Sequence, residues 1–335
     1  MVWLKFIACV AIIFFAGTRL ARYGDAIAEK TGLGGMWIGL VLLAAVTSVP
    51  ELVSAVSSAA LVKLPDLALG DLLGSCIFNL TILALVDIIY RPASILSQAS
   101  PRHVMSAGIG ILLIAVVIGG ILAGGRFPGL TLGWVNAPGI LTLVLYIAGV
   151  WWIFRSERGY QLQPIEAVSL QYEELPARTV YLRFALAAAA VIGAGIWLSF
   201  IGGEIAGTYG WHASFVGSLF LAITTSVPEL VVTIAALRLG AIDMAIADIL
   251  GSNMFNIAII TPVDIFYRRG PILSLVSSVH LITAVVAIVM SLLVIAGLRF
   301  RRRRKAFGIV SWYTPVLFGL YIFGIYALFK SISLG

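Results

Sequence analysis

The sequence predicts an all-α polytopic membrane protein, ten transmembrane helices arranged as two inverted-topology five-helix repeats, and three observations carry that expectation. Of 335 residues, 61% are hydrophobic and only 11% charged, with a mean hydropathy of +1.07, a balance that excludes a soluble globular enzyme. Apolar stretches long enough to cross a ~30 Å hydrocarbon layer recur along the chain. The segment TSVPEL occurs twice, at residues 47–52 and 225–230, each time in the middle of such a stretch.

In order, the stretches fall near residues 2–22, 34–62, 66–90, 102–125 and 129–154, then 180–202, 212–238, 243–267, 278–299 and 308–330. The first lacks a small-residue cleavage site after a short apolar core, so it reads as a retained helix and not a signal peptide. The second carries one TSVPEL, and the third carries GDLLGSCIFNL at residues 70–80. Past the fifth, residues 155–179 form the one long polar interruption, a cytoplasmic linker too short to bury a core of its own. The seventh and eighth stretches repeat the pattern, with the second TSVPEL and then ADILGSNMFNI at residues 247–257. The expected organisation is therefore a first repeat over 1–154 and a second over 180–335.

The repeat runs past its motifs. At an offset of 177 residues, Asp87 matches Asp264, Tyr90 matches Tyr267, Arg91 matches Arg268 and His103 matches His280. Each half holds an odd number of spans, so the second enters the membrane from the opposite side, as in many secondary transporters with midplane sites. An external N-terminus places sixteen lysines and arginines on the cytoplasmic side and six outside, which favours both termini external, in the cell membrane. The run RFRRRRK at residues 299–305 then faces anionic lipid as a stop signal and is not a nucleic-acid patch.

An acid at the centre of a membrane helix costs roughly 2.5–3.5 kcal/mol, so Glu51 and Glu229 mark function. Pro50 and Pro228 lack the N–H that the carbonyls of Val46 and Thr224 would accept, and bare carbonyls at membrane depth need protein or a hydrated cavity beside them. Thr47, Ser48 and Glu51 share one turn around the first break, as do Thr225, Ser226 and Glu229 around the second. Asp71, Ser75 and Asn79 are spaced by four, one polar stripe on the third span, and Asp248, Ser252 and Asn256 repeat it on the eighth. Facing one another, these helices make an all-oxygen cage suited to hard cations such as Ca²⁺ or Na⁺. Two glutamates supply the charge that one Ca²⁺ neutralises and several Na⁺ replace.

Other polar residues read as structural. Asp87 with Arg91 and Asp264 with Arg268, four apart near helix ends, read as ion pairs. His103 and His280 read as interface hydrogen-bonding groups, Ser54, Ser57, Ser58, Gly74 and Gly251 as small-residue packing, and Trp151, Trp152, Trp211 and Trp312 as interface anchors. Cys9 and Cys76 give no disulfide or metal-thiolate spacing. No His, Cys or Ser triad-like cluster lies at depth, which argues against an enzyme, and paired mid-span breaks argue for a closed site over a channel pore. No cofactor, nucleic-acid partner or obligatory protein partner is expected; the partners are inorganic cations and the bilayer.

The paired TSVPEL and G-S-x-x-F-N segments, about residues 39–80 and 217–257, resemble the alpha repeats of the sodium/calcium exchanger family within the cation/calcium antiporter superfamily. The resemblance implies a Ca²⁺/Na⁺ antiporter working by alternating access, with the first and sixth spans moving across a four-helix core. It implies Glu51 and Glu229 as Ca²⁺ and Na⁺ ligands, joined by Asn79 and Asn256, with Thr47, Ser48, Thr225, Ser226, Ser75 and Ser252 completing adjacent Na⁺ sites. Two departures stand out. The glycine that usually precedes the T-S pair is replaced by Val46 and Thr224, and this chain has Asp71 and Asp248 where the family often has a neutral residue. Those aspartates are attractors at the two mouths, direct ligands or proton acceptors, the last implying proton-coupled exchange of Ca²⁺ or another divalent cation.

Overall fold

The computed structural model describes residues 1–30, 44–124, 131–132, 134–158, 176–238, 240–300, 305 and 309–333. Among them nine helices are long and apolar enough to cross a membrane: Val2–Gly24, Pro65–Ile89, His103–Gly124, Ala137–Ser156, Ala177–Tyr209, Ala213–Arg238, Ile242–Tyr267, His280–Phe300 and Thr314–Ser331. They are the first and the third to tenth predicted spans, and the predicted numbering is kept below. The predicted second span begins outside the described residues and is helical over Ala44–Thr47 and Val49–Ala60. Most of the predicted linker also lies outside them. One element departs from the all-α expectation, a two-stranded antiparallel hairpin of Thr131–Leu132 and Val135–Asn136 at the start of the fifth span.

Burial separates a centre from a periphery. In the third and eighth spans, 78% and 89% of the most apolar window is buried, against 29% in the first and 22% in the fifth and tenth. The third and eighth pack on each other and on the second and seventh, which covers their polar stripes as well as their apolar faces. The first and sixth spans pair along one another outside that core and lie across the second and seventh.

Both TSVPEL segments break their helix at the serine. Ser48 has φ −86° and ψ 13°, and Ser226 has φ −84° and ψ 10°, so each helix stops after the threonine and restarts at Val49 or Val227. Pro50 and Pro228 fall in the first turn of the new segments, where an N–H would be unpaired in any case. The seventh span also widens into a π-turn at Gly217–Leu221. There its backbone meets the third span so closely that a Cβ on Gly217 would stand 2.4 Å from the Leu67 carbonyl oxygen, and one on Gly74 would stand 2.5 Å from Ser218 Cα. Only glycine permits that approach.

The span ends correct one expectation. Asp87 and Asp264 do not pair with Arg91 and Arg268. Asp87 accepts the backbone N–H of Ile95 at 3.0 Å and Asp264 that of Ile272 at 2.7 Å. After each span the chain turns, with Tyr90 extended and Arg268 left-handed at φ 50°, and brings the short helix Ile95–Gln98 or Ile272–Leu275 back over the acid. The acids stay structural, but local backbone donors replace the arginines. Asp87 further accepts from Ser311 N–H and Oγ, Tyr313 OH and Thr314 Oγ1 at 2.8–3.2 Å, with Lys305 Nζ at 3.5 Å.

The histidines hydrogen-bond, as expected, but to partners in the opposite repeat that were not. His103 Nε2 lies 2.9 Å from Asp243 Oδ1, and His280 Nε2 lies 3.0 Å from Asp66 Oδ1. Trp151 and Trp152 face outward. Trp211 instead stacks on Tyr209 and Phe220, with ring centroids 5.1 and 5.7 Å apart.

Candidate cation site

All twelve predicted site residues, Thr47, Ser48, Glu51, Asp71, Ser75, Asn79, Thr225, Ser226, Glu229, Asp248, Ser252 and Asn256, are fully buried. The contacts that join them cross between repeats. Ser48 Oγ donates to Glu229 Oε1 at 3.0 Å, and Ser226 Oγ donates to Glu51 Oε1 at 3.0 Å. The break makes this possible, since it turns each serine off the helix that carries its own glutamate. Thr225 Oγ1 donates to Asp71 Oδ1 at 3.2 Å and lies 3.5 Å from Ser75 Oγ. In mirror position Thr47 Oγ1 lies 3.5 Å from Ser252 Oγ. The symmetry ends at Asp248: the hydroxyls of Thr47 and Thr233 face it, but neither of its oxygens accepts a well-formed hydrogen bond from a described residue.

Seven carboxylate and amide oxygens of these residues are buried without a protein partner among the described residues: Glu51 Oε2, Glu229 Oε2, Asp71 Oδ2, Asn79 Oδ1, Asn256 Oδ1 and both oxygens of Asp248. Buried polar atoms are rarely left unpaired, because each forfeits its hydration. No lysine, arginine or histidine ion pair reaches the four acids among the described residues, and Glu51 lies in the field of both Glu229 and Asp71. Unpaired oxygens of like charge with no base nearby are what a desolvated hard cation satisfies. Among the described residues no three His, Cys, Asp or Glu side chains gather closely enough to hold a metal by themselves. The oxygens gathered here are thus carboxylate, hydroxyl and amide.

Some residues enter that the sequence reading passed over. Asn79 Nδ2 donates to Asn253 Oδ1 at 3.1 Å, and Asn253 Nδ2 donates to the Cys76 carbonyl at 3.1 Å. Ser54, expected as packing, faces Asp71, while its own carbonyl accepts Ser199 Oγ at 2.8 Å. Ser54 stands one turn after Glu51, and that spacing was the available signal. For Asn253 the signal was a mismatch, since its repeat mate is Cys76.

The sodium/calcium exchanger protein family model matches residues 1–155 and 179–335. The inner membrane protein YrbG of Escherichia coli (strain K12) is 27% identical over 78% of this chain and 78% of its own length. The putative antiporter CaxA of Alkalimonas amylolytica is 26% identical over 78% of this chain and 80% of its own. A solved structure of the sodium-calcium exchanger NCX_Mj superimposes with a TM-score of 0.61 at 21% identity, covering 97% of this chain and 98% of the other. That likeness shows the two-repeat helical membrane fold. The match over both halves shows the family, one of membrane antiporters and not of enzymes: the chain belongs to the sodium/calcium exchanger protein family.

Proposed function

We propose that the protein exchanges Ca²⁺ for Na⁺ across the membrane by alternating access, through one midplane site. One observation carries the reading: Glu51 and Glu229 are each held through one oxygen by a serine of the opposite repeat, while the other oxygen is buried and unpaired. Two such oxygens balance one Ca²⁺, and Asn79 Oδ1 adds a neutral donor. Thr47, Ser48, Thr225, Ser226, Ser75, Ser252 and Asn256 would complete adjacent sites for Na⁺, which needs oxygen donors but less charge. The three functional segments are 1–154, 155–179 and 180–335. Both termini are external and the arginine-rich side is cytoplasmic, in keeping with the charge distribution.

In this mechanism the site opens to one side at a time as the first and sixth spans move over the core. Filled, the site presents little net charge to the apolar barrier. Empty, its acids resist the passage, and that difference enforces exchange over leak.

A second reading rests on Asp71 and Asp248. With both ionised the centre carries four negative charges and one Ca²⁺ offsets two, so the remainder calls for Na⁺ or protons. The unpartnered oxygens of Asp248 favour it as the proton-accepting group in a proton-coupled exchanger of Ca²⁺ or another divalent cation.

Uptake of ⁴⁵Ca²⁺ into proteoliposomes separates the two. Uptake that requires internal Na⁺ and ignores an imposed pH gradient supports sodium coupling. Uptake driven by the pH gradient without Na⁺ replaces it with proton coupling, and no uptake in either arm removes Ca²⁺ as the cargo.

A further inference from the structure

The two central helices carry the same polar stripe, and among the differences beside it one changes polarity: Cys76 on the third span corresponds to Asn253 on the eighth. The two residues touch each other where the helices cross. Cys76 Sγ lies 3.7 Å from the Asn253 carbonyl, and Asn253 Nδ2 lies 3.1 Å from the Cys76 carbonyl.

A backbone carbonyl can only accept. The Asn253 atom facing it is therefore the amide nitrogen, which turns Asn253 Oδ1 the other way, toward Asn79 at 3.1 Å. That oxygen in turn needs a donor, so the Asn79 atom it meets is Nδ2. The remaining atom, Asn79 Oδ1, is left buried with no protein partner. A polarity fixed by the backbone at Cys76 is thus relayed through one amide to the next. Rotating the Asn79 amide by half a turn would set oxygen against oxygen at Asn253 and turn an NH₂ into the site.

The other repeat lacks the relay. Asn256, the mate of Asn79, has both amide atoms buried and unpartnered, and the residue at the matching place, Cys76, has a thiol committed to a carbonyl. One amide is locked, and its twin meets no partner among the described residues.

We propose that Asn253 is a positioning residue that fixes the Asn79 side chain with its carbonyl oxygen turned into the cation site, so that the two repeats contribute unequally to binding. The proposal rests on Asn79 being a cation ligand. Removing such an outer partner costs about 10- to 100-fold in metal affinity, and the lower end suits a neutral ligand among several.

The test is equilibrium ⁴⁵Ca²⁺ binding to the purified full chain, which needs no choice of counter-ion, beside exchange kinetics in proteoliposomes. Asn253→Ala should weaken Ca²⁺ binding by about tenfold, raising KM by the same factor with a maximal rate within about twofold of the parent. Asn253→Cys is the fallback should the alanine variant fail to fold, because the first repeat already accommodates cysteine at this register. Asn79→Ala should weaken binding at least as much, and the double variant Asn79→Ala with Asn253→Ala should be no worse than Asn79→Ala alone. Losses that multiply, or a lost maximal rate at unchanged KM, would overturn the orienting role and leave a packing one. An unchanged affinity in Asn253→Ala, where Asn79→Ala is impaired, removes the orienting role alone. An unchanged affinity in Asn79→Ala removes the ligand reading beneath it.

Discussion

The hydroxyl of Ser48 lies 3.0 Å from Glu229 Oε1, so a serine at one helix break orients the glutamate at the other. Ser226 does the same for Glu51. A hydrogen bond to a carboxylate contributes about 1.5–3 kcal/mol, and here it leaves the second oxygen buried and unpaired among the described residues. Ser48→Ala and Ser226→Ala should each weaken ⁴⁵Ca²⁺ binding by about tenfold, whereas Glu51→Gln or Glu229→Gln should abolish exchange. Full exchange in both glutamine variants would sink the site assignment.

Asp71 and Asp248 are repeat mates in unequal surroundings, the first held by Thr225 and the second without a hydrogen bond. Their asparagine variants should differ accordingly. Asp248→Asn should change which gradient drives uptake, and Asp71→Asn should chiefly alter cation affinity. Identical behaviour of the two variants in Na⁺-driven and pH-driven uptake would show that the asymmetry has no part in coupling.

Asp87 ties the end of the third span to the short helix after it through Ile95 and to the start of the tenth span through Ser311, Tyr313 and Thr314, and Lys305 donates to the carbonyls of Asp87 and Tyr90. Asp87→Ala leaves these donors buried and unanswered. A loss of about 3–5 kcal/mol is expected, as for breaking a buried ion pair, read as a lower thermal transition in detergent. The Ca²⁺ KM of the surviving protein should be unchanged, and a shifted KM would move Asp87 into the transport path.

The first span crosses the seventh where a Cβ on Gly17 would lie 2.6 Å from Pro228 Cγ. If the first span moves over the core, this close approach lies in its path. Gly17→Val should slow the maximal exchange rate by about tenfold or more while equilibrium Ca²⁺ binding stays near the parent value, since about 1.4 kcal/mol of added barrier is one factor of ten. Weakened binding with an unchanged rate would contradict the assignment of motion to this helix.

The glutamates and the stripes were legible because an acid or an i, i+4 polar row is conspicuous against lipid. So was the fold, whose repeats are written in the motifs themselves. What escaped the sequence was partnership over distance. Asp87 was expected to find a base one turn away, yet Ser311 meets it from 224 positions along the chain. Asp66 and Asp243 passed unnoticed because near a helix start an acid is ordinary, and only folding brings His280 and His103 to them. Asn253 was hidden for a different reason: its meaning lies in failing to match its twin, and a repeat is legible only where its halves agree.

The crosswise pairing also bears on how the protein is made. Glu51 waits for Ser226, Asp66 for His280, and the backbone of Gly70 for the hydroxyl of Ser218 at 3.1 Å, all supplied by the half synthesised later. The nascent first half therefore sits in the bilayer as an unfinished bundle, its acids exposed to one another. Its completion is an assembly step within one chain, resembling the docking of two subunits that happen to share a tether, so premature termination after the fifth span should yield a product for membrane quality control and not a half-active carrier.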